Sequence, residues 1–212
     1  MTKTSILIIS LILLGACCKA QVYLEPFIGY QTDLNSNDFK QVNTGLQCSF
    51  KKSKGYEFVL QIQESWAIPF IAADSSFTPN PALPVYASAK KTIRPKASSF
   101  SVGHRFVVAG KKTANIFSIL FNTGITYQNI KVSYQYDKSN YTILNPDKTQ
   151  SRLGLYISGG SEYMRLLTNG RIFFQLNVAT PPFGKKIKYP SSFYFMAPLA
   201  INIGYAVAIK NK

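Results

Sequence analysis

The chain has one histidine, one tryptophan, three cysteines and nine acidic residues against 24 basic ones. A lone imidazole among scattered carboxylates supplies no zinc constellation, which needs several converging ligands. Cys17 and Cys18 fall in the opening segment, so only Cys48 belongs to the body of the chain. That excludes a disulfide framework and leaves Cys48 as a small apolar side chain. "VVAGKKT" lacks the upstream glycine and the spacing of a phosphate-binding loop. No cofactor is expected. After the first 20 residues no apolar run approaches the roughly 20 residues of a membrane helix. A chain that crosses a bilayer without such a helix must cross it with strands.

The opening "MTKTSILIISLILLGACCKAQ" carries Lys3, then an apolar run from Ile6 to Leu14 broken only by Ser10, then small residues. Such a run is too short to anchor and has the order of an export signal. "CKA" before Gln21 fits an ordinary cleavage site, giving a signal peptide at 1–20 and one domain at 21–212. "LGAC" offers the other reading, lipidation at Cys17; strand-like sequence from Val22 would leave that lipid almost no tether. Loss of Lys3 and Lys19 lowers the formal charge of +15 by two.

What remains alternates. In "NIFSILFNTGITYQ", Phe117, Ile119, Phe121, Ile125 and Tyr127 share one face of a strand. Ser118, Asn122, Gly124, Thr126 and Gln128 share the other, with Leu120 the exception; period two is the strand signature. Eight segments read this way: Val22–Gln31, Gln41–Phe50, Tyr56–Trp66, Ala97–Val108, Ile116–Gln128, Arg152–Met164, Arg171–Ala179 and Ala197–Ala208. "KKSKG", "AGKKTAN" and "RLLTNGR" are short connections. Thr32–Lys40, Ala67–Lys96, Asn129–Ser151 and Thr180–Met196 are long ones. Short alternating with long is the rhythm of an up-and-down barrel with tight turns at one mouth and loops at the other. An even strand count puts both termini at the tight-turn mouth. Pro26 removes a ladder donor in the first strand, and a bulge is expected there.

The polar parity is small and mostly uncharged: Asn43, Gly45, Gln47 and Ser49; Ser99, Ser101 and Gly103; Gln175, Asn177, Asn202 and Gly204. The opposite parity is Leu, Ile, Val and Phe. A narrow eight-stranded barrel has room for little more than packed small and polar side chains. The apolar parity therefore faces lipid, with Tyr30, Phe50, Tyr56, Trp66, Tyr127, Tyr163 and Tyr205 near strand ends, where interfacial rings belong. The predicted fold is all-β, an eight-stranded antiparallel up-and-down transmembrane β-barrel preceded by a cleaved signal peptide.

The export signal, the start "VYLEPFIGYQ", the turn–loop rhythm and the final strand "APLAINIGYAVAIKNK" resemble the small eight-stranded outer-membrane β-barrel proteins of Gram-negative bacteria. The resemblance covers essentially the whole chain after the signal. It implies residence in the bacterial outer membrane and a porin-like or surface role. Many such proteins end on an aromatic residue; this chain ends Lys210-Asn211-Lys212, with Tyr205 and Ile209 nearby. Deacylases of similar barrel size carry an outward His–x–Ser pair. Here the run is His104-Arg105-Phe106, without the nucleophile, and no enzymatic activity is expected.

Parity and strand direction place Glu25, Glu57, Arg105, Glu162 and Arg171 inside the barrel on its periplasmic half. Unpaired buried charge is costly, so the five are expected to pair and to plug the lumen. The bland alternative is solvation at the periplasmic mouth. Lys90, Lys91, Arg94 and Lys96 after the second long loop, and Lys185, Lys186 and Lys188 in the fourth, are expected outside, where lipopolysaccharide phosphates are the nearest dense anions. Outer-membrane lipids are thus the expected partners. Nucleic acid is not, since no aromatic-interleaved basic groove is present. The Pro-rich "SSFTPNPALPVYASAKK" could meet a protein partner or stiffly cover the mouth. Three functions follow: a structural or surface-interaction barrel, a narrow pore, or a soluble lipocalin-like periplasmic binder with its apolar parity inward.

Overall fold

The computed structural model describes residues 21–32, 40–53, 55–110, 113–144, 146, 149–180 and 199–209. The predicted signal peptide and the lysines at 185, 186 and 188 lie outside the described residues, so Lys185, Lys186 and Lys188 have no placement here. The strands are β1 (Gln21–Thr32), β2 (Lys40–Ser53), β3 (Tyr56–Ala67), β4 (Phe70–Phe77), β5 (Tyr86–Ala109), β6 (Asn115–Gln135), β7 (Gln150–Leu167), β8 (Gly170–Ala179) and β9 (Leu199–Ile209). Every neighbour pairs antiparallel, β1 with β9 at one side and β3 with β5 at the other. The β3–β5 pairing closes an eight-stranded ring and leaves β4 outside it. Among the described residues no helix is long and apolar enough to cross a membrane.

Tight turns link β2 to β3, β5 to β6 and β7 to β8, all at the mouth that also holds Gln21 and Ile209. The β5–β6 turn depends on Gly110, whose φ of 80° is open to glycine at no steric cost. A Cβ there would meet the Asn115 carbonyl oxygen at 1.9 Å.

Two expectations need correction. The long second connection is not a loop. "FIAADSSF" forms β4, and β5 runs 24 residues from Tyr86, so the two make a hairpin standing above the ring. β6 pairs with this extension as far as Gln135, and Phe77 bridges Thr142 beside it. Pro95 falls between Ile93, the last partner of β4, and Lys96, the first partner of β3. Over Arg94 and Pro95, β5 is paired on the β6 side alone. A proline is tolerated where a ladder is interrupted in this way. Pro26, by contrast, makes no bulge. It stays in continuous register with Leu46, and on the β9 side the ladder lapses at Glu25 and Pro26 and resumes unchanged. The bulges lie instead at Lys51/Ser53 and Val107/Ala109, beside tight turns.

The apolar parity faces outward. Leu153, Phe121 and Ile203 are 64%, 55% and 54% exposed, while Leu120 joins the interior parity at 1%. This overturns the lipocalin-like alternative, which required the reverse. Tyr30, Trp66 and Tyr127 ring the upper end of the apolar wall, and Tyr56, Tyr163 and Tyr205 the lower. From Tyr127 to Phe117 a strand rises about 33 Å, or about 25 Å once tilted, the height of a lipid-facing band. His104 faces outward at the lower rim, where its Nδ1 lies 2.5 Å from the Tyr56 hydroxyl and its ring packs against Phe58 and Phe106. Cys48 is a buried free thiol.

Candidate functional site: a buried charge cluster in the lumen

Strand register does the first part of the assembly. It sets Glu25 opposite Gln47, Glu57 opposite Arg105 and Glu162 opposite Gln175. All of these side chains point into the barrel. Three carboxylates and two guanidiniums then share one buried layer, each at most 3% exposed.

Arg105 is the hub. Its Nη2 donates to Glu25 Oε2 at 2.8 Å and to Glu162 Oε2 at 2.9 Å, and its Nη1 donates to Glu25 Oε1 at 3.1 Å and to Glu57 Oε2. Its Nε lies 2.6 Å from Glu162 Oε1, an ion-pair approach. Arg171 reaches across from β8. Its Nη1 and Nη2 donate to the two Glu57 oxygens at 2.8 Å each, and Nη2 also donates to Glu25 Oε1 and to Ser49 Oγ, the latter at 2.8 Å. The Arg171 guanidinium lies 4.0 Å from the centre of the Tyr23 ring, a cation–π approach.

Neutral groups complete the layer. Ser49 donates to Glu25 at 2.8 Å, Gln47 donates to its other oxygen, and Gln175 donates to Glu162 at 2.6 Å. A chain of amides climbs from there: Gln175 donates to Gln47 at 3.3 Å, Asn202 to Gln175 at 3.4 Å and Asn43 to Asn202 at 3.1 Å. An apolar group of Tyr23, Phe27, Met164, Phe173 and Ala206 fills the lumen beside the charges. Arginine suits this setting because its planar fork serves several carboxylate oxygens at once. The arrangement gathers three carboxylates and two guanidiniums into one buried, hydrogen-bonded layer on the interior face.

The sequence placed the five charges on one face but did not name Tyr23, Gln47, Ser49 and Gln175 as their partners. Interior parity was the available signal, and it does not say which neutral residues reach a carboxylate. Above the cluster a polar cavity of about 40 Å³ is lined by Gln31, Gln61, Gln63, Ser99, Asn122, Tyr156, Ser158, Asn177 and Asn202 among others. Among the described residues no group of three or more His, Cys, Asp or Glu fits a metal ion.

The outer basic residues separate. Lys90, Lys91, Arg94 and Lys96 stand on β5, not on a loop. Lys90, Arg94 and Lys96 share the outward parity, and Lys91 has the other. Lys96 pairs with Glu64 at 2.9 Å.

Fold and site together define the class: a small antiparallel barrel of outer-membrane type, apolar outside and polar within. No family model matches the chain, and no curated protein matches its sequence. Among solved structures it is similar to Ail, the attachment invasion locus protein of Yersinia pestis, in complex with the heparin analogue sucrose octasulfate. That match has 10% identity, covers 90% of this chain and 98% of the other, and has a TM-score of 0.49. It is also similar to the N-terminal β-barrel domain of Pseudomonas aeruginosa OprF, at 12% identity, 89% and 97% coverage and a TM-score of 0.42.

Proposed function

We propose that this protein is a non-enzymatic integral barrel of the bacterial outer membrane whose lumen is shut by the Glu25–Glu57–Arg105–Glu162–Arg171 cluster. Its role is structural or interactive, exercised from the outward face and the outer basic residues, with lipopolysaccharide as the nearest anionic partner. The observation that carries the closed lumen is the burial of all five charged groups in one hydrogen-bonded layer. A solute path would have to break several charge-assisted bonds at once, and each broken bond would leave a buried charge unpaired.

Planar-bilayer recording tests the reading. The purified barrel is expected to give no sustained conductance steps. Stable single-channel steps from the unaltered protein would refute the plug. They would favour the narrow-pore reading, for which the polar cavity above the cluster is the supporting feature. At about 40 Å³ that cavity has room for a water or two rather than a solute.

A further inference from the structure

On the outer wall, β5 exchanges β3 for β4 as its neighbour, and the exchange leaves a hollow of about 400 Å³. Its lining includes Trp66, Arg94, Lys96, Tyr127 and Lys131. We propose that this hollow binds the phosphorylated headgroup of an outer-leaflet glycolipid, entering from the bilayer side. The proposal rests on the membrane placement above and gives it a specific lipid site.

Charge comes first. Arg94 and Lys131 are direct register partners on one face, and like charges set opposite each other across a strand pair repel. Among the described residues neither has a carboxylate within ion-pair distance. Lys96 is held by Glu64 at 2.9 Å, and its ammonium lies 5.8 Å from the Trp66 ring centre. Three cations therefore meet one carboxylate, and the excess is positive. An anion placed between Arg94 and Lys131 turns their repulsion into two favourable contacts.

Depth selects the anion. Trp66 and Tyr127 belong to the upper aromatic ring, so the hollow opens at the level where headgroups begin. Below it, on the same outward parity, Ile125 and Phe121 are exposed on the apolar wall. A ligand that fits both levels has phosphate at the top and acyl chains beneath. The aromatic faces and the basic stems supply the apolar part of the contact, the heads the polar part. A soluble anion would use only the upper half.

Trp66 is the sole tryptophan, so its emission reports on this hollow alone. The full chain, folded in neutral detergent, is titrated with bisphosphorylated lipid A and with the dephosphorylated lipid. The phosphorylated lipid is expected to change Trp66 emission saturably, and the dephosphorylated one is not. The R94Q/K131Q variant, checked for an unaltered heat-dependent gel shift, should need roughly thirtyfold more lipid, the effect of two interfacial cations. Equal response to both lipids, or an unchanged titration in the variant, would overturn the site. An equal response to inorganic phosphate would assign it to a soluble anion and overturn the lipid source. Lipid binding seen by native mass spectrometry without a Trp66 response would move the lipid elsewhere and leave the membrane barrel standing. A chain recovered in the soluble fraction with no heat shift would remove both readings.

Discussion

Replacing Arg105 with alanine perturbs the lumen most directly. In the native cluster three carboxylates face two guanidiniums. Arg105 contacts all three carboxylates, and its side chain has no exposed surface. Without it, among the described residues Glu162 keeps only the Gln175 amide as a side-chain hydrogen-bond partner, and Glu25 and Glu57 share Arg171. Breaking a buried ion pair from one side costs about 3–5 kcal/mol, because a charge stays behind without compensation. A hub with three partners belongs at the upper end of that range. Urea unfolding in detergent micelles, followed by the heat-dependent gel shift, should place the R105A midpoint well below wild type. The companion variant R105M/E162Q removes one charge of each sign and should recover part of the loss. R105A should also admit small ionic currents, and the parent should show none. An R105A barrel with the wild-type midpoint and no leak would mean that these charges are solvated at the periplasmic mouth. The plug would then be wrong.

Three further outcomes follow from other parts of the barrel. At Gly204 a Cβ would lie 2.3 Å from the tip of the Phe173 ring and 2.4 Å from the Pro26 carbonyl oxygen, so G204A overpacks against backbone; a loss of about 1–3 kcal/mol in urea unfolding is expected, and no loss would show that β1 and β9 can separate freely. I203R puts a guanidinium on the lipid face near mid-height and should cost about 2–4 kcal/mol in bilayers. V85R, in the hairpin turn above the ring, should change stability by no more than about 0.5 kcal/mol, and equal costs at the two sites would contradict the placement of the apolar band. Asp137, in the turn after β6, is hydrogen-bonded first by Ser139 and then by Asn140, which holds its carboxyl below the ordinary range. Because the folded value is depressed, the turn's added stability is present above the unfolded pKa and is lost only as pH falls through the folded one. An NMR titration of Asp137 with an ordinary aspartate midpoint would contradict this.

Much of the barrel could be read along the chain because its cause is local. Side chains alternate with period two, so parity alone sorted Phe117 from Ser118, and it put Glu25, Glu57, Arg105, Glu162 and Arg171 on the inner face. Turn composition likewise told the tight mouth from the open one. The hairpin of β4 and upper β5 escaped because its Ala, Ser and Asp residues lack a strand's usual composition and Pro95 follows directly after it. Its pairing with β6 supplies the order that its own residues do not signal. Leu120 was an exception to its strand's pattern, and only the closed ring showed that the interior has room for it.

Tertiary structure alone decided which charges meet. Arg171 and Glu57 are far apart in sequence and come together only because the ring closes through β3 and β5. The wall hollow likewise needs β3, β5 and β6 side by side before Trp66, Arg94 and Lys131 can face one ligand. Parity is a property of one strand and survives without neighbours. A site is a property of register across several strands, and register is set by closure.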